Sequence, residues 1–174
     1  MTDVDARAVA LHSLGVARKC REVAGLLGWD ESRQNAAYPM GWLHDMAKGL
    51  TGFEDHGPRT ARIVDGELSL PMSQCQGREI TSAIRDHGTG AGDSPWLDVL
   101  NYADMCVDSE GNEVGFELRL RDIAERHGKN SAVYATCEQL VEKCRRLDVA
   151  MAEIPNAHRR NHAGDTQRVS SLGT

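Results

Sequence analysis

The stretch Trp42-Leu43-His44-Asp45-Met46-Ala47-Lys48 decides the reading of this 174-residue chain. An imidazole and a carboxylate side by side offer two metal donors from one short segment of backbone. Among seven histidines a His-Asp pair alone carries little weight, and its company gives it meaning. His12 precedes the pair, His56 and His87 follow it, and Asp104 closes the series in Asn101-Tyr102-Ala103-Asp104. That order, His, His-Asp, His, His and a late Asp, is the donor order of a dinuclear metal site. Imidazole with carboxylate suits iron or manganese first, and also cobalt, nickel or zinc, better than the oxygen-seeking calcium and magnesium.

Outward from this stretch the periodicity is helical almost throughout. Val9, Val16, Cys20, Val23, Ala24 and Leu27 recur at helical spacing between Asp5 and Leu27, and His12 falls on the same stripe. Gly28 stops that helix and Asp30 caps a second, expected from Glu31 to Lys48 with strain near Pro39. A third helix starts near His56 or Pro58 and runs to about Val64, with Asp65 to Met72 as a turn. Ser73 to His87 carries a fourth, Pro95 opens a fifth, and residues 116–127 form a sixth closed by Gly128. The last runs from Ser131 to about Ile154, and its stripe of Val133, Cys137, Leu140, Val141, Cys144, Leu147 and Met151 reads as packing. A short hairpin around Gly111 is the one β feature expected. The fold class is therefore all-α, one helical domain over residues 1–154. Residues 155–174 are expected to be a polar, disordered tail, in which His158 and His162 are solvated rather than ligating.

Composition narrows the function. The length fits one domain with a real core, and a net charge of −6 argues against a protein that coats nucleic acid. Met1 to Ala10 lacks the pattern of a signal peptide, and no run approaches a membrane span. Five scattered cysteines without a C-x-x-C pair read as reduced thiols of a cytoplasmic protein. Asp108-Ser109-Glu110-Gly111-Asn112 has its glycine at the wrong place for an EF-hand and reads as a polar turn. The expected partner is a small phosphorylated substrate, with neither membrane nor nucleic acid. A homodimer is compatible with the sequence and not required by it.

The segments His12-Ser13-Leu14-Gly15-Val16-Ala17, Leu43-His44-Asp45-Met46-Ala47-Lys48, His56-Gly57-Pro58-Arg59-Thr60-Ala61, Ala83-Ile84-Arg85-Asp86-His87-Gly88-Thr89-Gly90 and Tyr102-Ala103-Asp104 resemble the HD superfamily of metal-dependent phosphohydrolases. They are most similar to its six-ligand subset and, within that, to the bacterial branch with symmetrical bis(nucleosyl)tetraphosphate hydrolases. The resemblance spans roughly residues 8 to 127. It implies a helical bundle with two divalent metals in its core. His12, His44, Asp45 and Asp104 would hold one metal and His56 and His87 the other, with Asp45 bridging. It also implies hydrolysis of a nucleotide-type phosphate ester or anhydride by a metal-activated water, with Asp45 and Lys48 catalytic and Lys48 reaching the substrate phosphate. The interval from His44 to His56 is tighter than in many tetraphosphatase relatives, which weakens the dinucleotide reading.

Alternatives stand beside these readings. His12 and His87 could be hydrogen-bonded core histidines, Asp104 a helix cap, His56 exposed, and Lys48 a solvated cation at a helix end. Arg59 and Arg85 are candidate phosphate clamps, because a guanidinium matches phosphate bidentately, or ordinary surface arginines. The same six donors also fit an HD-fold mixed-valent di-iron oxygenase, and a non-catalytic metal-binding regulatory module is the third reading. The chain lacks the Gly-Tyr-Pro element of cyclic-di-GMP phosphodiesterases, and the Glu-Asp pair of alarmone hydrolases is not evident. Substrate choice is expected to rest on the Gly88–Trp96 loop and the 105–121 region.

Overall fold

The structure, a computed structural model, describes residues 5–48, 56–68 and 73–154. Within them lie seven helices: α1 (Ala6–Leu26), α2 (Glu31–Leu43), α3 (His56–Glu67), α4 (Gln74–Asp86), α5 (Pro95–Met105), α6 (Phe116–His127) and α7 (Ala132–Glu153). The all-α expectation holds. The expected hairpin reduces to a single antiparallel bridge between Val107 and Glu113. Among the described residues no helix is long and apolar enough to cross a membrane. The expected tail (155–174), the 49–55 connection and residues 69–72 lie outside the described residues.

Helix starts follow the capping chemistry of the sequence. Asp5, Asp30, Ser73, Ser94 and Ser131 each accept a backbone N–H of the first turn that would otherwise lack a partner. At α4 the cap is reciprocal, with the Gln76 side chain returning to the Ser73 backbone. Two ends differ from expectation. α3 continues to Glu67 rather than stopping near Val64. α2 tolerates Pro39 but ends at Leu43 instead of Lys48, and residues 44–47 form a turn closed by Met46 N–H to Leu43 O and Lys48 N–H to Asp45 O. His44 and Asp45 thus leave a helix end rather than a continuous helix, which frees their side chains to point to different partners.

The core is built from Val16, Cys20 and Val23 of α1, Met40 of α2, Ile80 and Ile84 of α4, Trp96, Val99 and Leu100 of α5, and Leu140, Val141 and Cys144 of α7. α1 packs on α2 and α5, α3 on α4, and α5 also touches α4 and α7. Two glycines permit the approaches that set up the site. A Cβ on Gly41 would lie 2.8 Å from the Ala17 N, Ala17 Cα and Val16 O atoms, so only glycine lets α2 reach the backbone of α1 there. Gly111 has a positive φ of 81° and sits against the Leu11 carbonyl, which brings the 107–113 turn onto α1.

Candidate metal centre

Five elements deliver the candidate donors to one place. His12 comes from the middle of α1, His44 and Asp45 from the turn after α2, and His56 from the start of α3. His87 comes from the end of α4 and Asp104 from the last turn of α5. His44 and Asp45 are 0% and 1% exposed, and His12 and His87 are each 5% exposed. Burial on that scale is costly for polar groups without partners, so their hydrogen bonds are informative.

Three of the histidines are oriented by backbone carbonyls. His12 Nδ1 donates to Asp108 O at 3.0 Å, His44 Nδ1 to Gly41 O at 2.7 Å, and His87 Nδ1 to Ile84 O at 2.6 Å. A carbonyl only accepts, so each Nδ1 carries the proton and, in the neutral ring, each Nε2 is a lone pair. All three Nε2 atoms point inward. His12 Nε2 lies 3.0 Å from Asp104 Oδ1 and 3.9 Å from Asp45 Oδ2, and His44 Nε2 lies 3.5 Å from Asp45 Oδ2. On the other side of the same carboxylate, His56 Nε2 and His87 Nε2 are 3.1 and 3.6 Å from Asp45 Oδ1, and 3.0 Å from each other. Asp45 therefore divides the cluster, Oδ2 facing His12 and His44, Oδ1 facing His56 and His87.

Lone pairs and carboxylate oxygens at these distances repel one another, an arrangement that a shared cation would stabilise. His44 Nε2 and Asp45 Oδ1 are fully buried and make no hydrogen bond. Donor atoms of His12, His44 and Asp104 lie within 4.8 Å of one another, as do those of His44, Asp45 and His87. Buried imidazoles aimed by their distal N–H groups, converging on carboxylates, fit a divalent metal. His56 stands outside those two groups and reaches the cluster through Asp45 and His87.

The electrostatics agree. Burial pushes His44 down to about 3, against the weaker pull of Asp45, so its ring is neutral and able to ligate. Burial pushes Asp45 up, but His44, Lys48, His56 and His87 outweigh it and hold the carboxyl well below its usual range. Asp104 is likewise raised by burial and lowered further by His12, Arg119 and His44. Burial lowers His87, yet Asp45 and Asp104 reverse it and leave the ring above its ordinary value.

A cavity of about 610 Å³ opens on the cluster, lined by Asp45, His56, His87 and Asp104. Lys48 also lines it, with Nζ donating to Asp45 Oδ2 at 2.5 Å. Arg85 reaches the rim but bonds to Asp86 and Ser82. Arg59 is exposed and is not among the lining residues, so this candidate clamp does not face the cavity. Of the expected walls, Gly88, Thr89, Met105 and Arg119 take part. The sequence reading gave Arg119 no role of its own and missed Ile123, Arg126 and His127 on α6, which line it too. The signal was present as positions 119, 123 and 126 at helical spacing, with a charge on the inward stripe. Arg119 is 7% exposed, and its guanidinium reaches Asp104 Oδ1 at 3.3 Å and Asp122 Oδ2 at 3.0 Å. Asp108 to Asn112 is the expected polar turn, the Asp108 carboxylate accepting the N–H groups of Glu110 and Asn112. Its carbonyl, one peptide on, steers His12.

No curated protein and no solved structure matches the chain. The HD domain model matches residues 9–169, a span that holds all six converging side chains. HD domains bind divalent metals and are generally metal-dependent phosphohydrolases. By that match, which covers most of its length, the chain belongs to the HD domain family.

Proposed function

We propose that the chain is a phosphohydrolase that cleaves a phosphate ester or anhydride with two divalent transition metals, iron or manganese foremost. His12, His44, Asp45 and Asp104 would hold one and His56 and His87 the other, with Asp45 shared. The observation that carries this reading is the division of Asp45, whose two oxygens face separate pairs of imidazoles in a buried cluster with unsatisfied donors. When bound, such metals acidify water and neutralise charge on phosphoryl oxygens. The protein's own part is to position and to exclude. The Asp108, Gly41 and Ile84 carbonyls fix the imidazoles, and Lys48 sets an ammonium at the cavity face of Asp45, where it binds a phosphoryl oxygen as a point charge. Arg119 holds Asp104 in place and faces the same cavity.

A nucleotide-type substrate, including a symmetrical dinucleotide tetraphosphate, follows from the resemblance of the motifs and belongs in the first assay. Phosphate release is measured across nucleotides, dinucleotides and simple phosphate esters, with wild type and Asp45→Ala loaded with Mn(II), Fe(II) or Co(II). Metal-dependent release that the substitution abolishes is the expected result. Bound metal with no release in any loading overturns the reading in favour of a di-iron oxygenase, checked by oxygen uptake and a coupled Fe(II)/Fe(III) EPR signal. No bound metal leaves a non-catalytic module.

A further inference from the structure

The α7 stripe does two different jobs along its length. Its later positions Val141, Cys144 and Met151 are buried in the core. Its first positions also border the cavity: Val133, Cys137 and the core residue Leu140, four and then three residues apart, line it with Thr136 beside them. Val133 is 41% exposed, an apolar side chain left to water at the end of an otherwise covered stripe. Ile123 of α6 and Met105 of α5 continue the same wall. Among the described residues these apolar side chains form a continuous part of the cavity lining. Thr136 and Thr89 bring hydroxyls to the described lining. Lys48 and the donor cluster line the same cavity, and Arg119 and Arg126 share α6 with Ile123, as in pockets where a few polar groups orient a ligand and apolar side chains hold the rest of it.

We propose that the organic part of the substrate is an aliphatic group, packed on Met105, Ile123, Val133, Cys137 and Leu140, with its phosphoryl group at Lys48 and the Asp45 cluster. This rests on the phosphohydrolase reading of the site and names the substrate class for it: a phosphate monoester of an apolar alcohol. The stripe was expected to be packing, which holds for Leu140, Val141, Cys144 and Met151, while Val133, Cys137 and Leu140 also line the cavity.

The test uses n-alkylphosphonates, which cannot be hydrolysed at the C–P bond by this chemistry, from methyl to octyl. Binding to the full chain loaded with Mn(II) is measured by calorimetry, with AMP as the nucleotide probe and hexyl phosphate as the turnover substrate. Burying each methylene is expected to tighten binding roughly three-fold until the wall is filled. Hexylphosphonate should bind more tightly than AMP. Val133→Asn, at an exposed position, should flatten the chain-length dependence while leaving methylphosphonate unchanged, and Thr136→Val should steepen it. Methylphosphonate binding with no dependence on chain length, or AMP binding more tightly than hexylphosphonate, overturns the inference and leaves phosphohydrolysis standing. A clear chain-length dependence with no release of phosphate from hexyl phosphate supports the aliphatic wall and overturns hydrolysis instead.

Discussion

Gly41→Ala is a substitution of one methyl group, outside the cavity lining, that should reach the candidate metal centre. Its Cβ would stand 2.8 Å from three backbone atoms of α1, where no side-chain rotation can relieve the contact. Carbon contacts are favourable at about 3.5–4.0 Å, so α1 and α2 would have to part by roughly 0.7 Å. Overpacking costs about 1–3 kcal/mol, and a clash with backbone belongs at the upper end. Alanine returns up to about 1 kcal/mol of helix propensity, less here because the position lies in the last turn of α2. A net loss of about 2 kcal/mol is expected. The same shift separates His12 on α1 from His44, whose Nδ1 is tied at 2.7 Å to the carbonyl of Gly41 itself. Loss of aim of this kind weakens metal binding by about 10–100-fold. Urea unfolding of the EDTA-treated protein reads the first effect, and calorimetric titration with Mn(II) reads the second. A variant as stable as wild type, with metal affinity within about two-fold, would refute the argument that the close approach of these helices sets the centre.

Two further outcomes follow from buried groups. Arg119→Met removes one of two partners of Asp104, whose side chain keeps 20% exposure, so the metal-free protein should lose about 2–3 kcal/mol, less than for a fully buried pair. Mn(II) should restore much of that loss by neutralising Asp104, and equal losses with and without metal would show that the arginine acts by packing alone. Burial pushes the thiol of Cys106 up to about 12 and that of Cys137 to about 11, and raises Cys20 and Cys144 as well. The unfolded chain releases these protons near pH 9, from an ordinary thiol value of 9.0, while the folded chain retains them. Their stabilisation is complete below about pH 9 and is lost as pH rises through about 11 to 12. The Tm of the metal-free protein should therefore be lower at about pH 10.5 than at about pH 8, and an unchanged or higher Tm would refute the assignment.

What the sequence alone determined lay in short-range patterns. The stripe of α1, the caps at Asp30, Ser73 and Ser131, and the stop at Gly128 depend on residues a few positions apart, so the helices could be placed from the chain itself. The six donors were likewise legible as residue types in a characteristic order. Only the tertiary structure decided how they are used. Whether the two oxygens of Asp45 face one pair of imidazoles or two depends on where α1, α3 and α4 meet the turn after α2. No spacing encodes the carbonyls of Asp108 and Gly41 as the orienting partners of His12 and His44. Arg119 and the early α7 stripe were visible as a charge and as apolar residues on helix faces. Periodicity says which face of a helix is turned inward, but only the neighbouring helices determine whether that face meets the core or the cavity, and here α7 meets both.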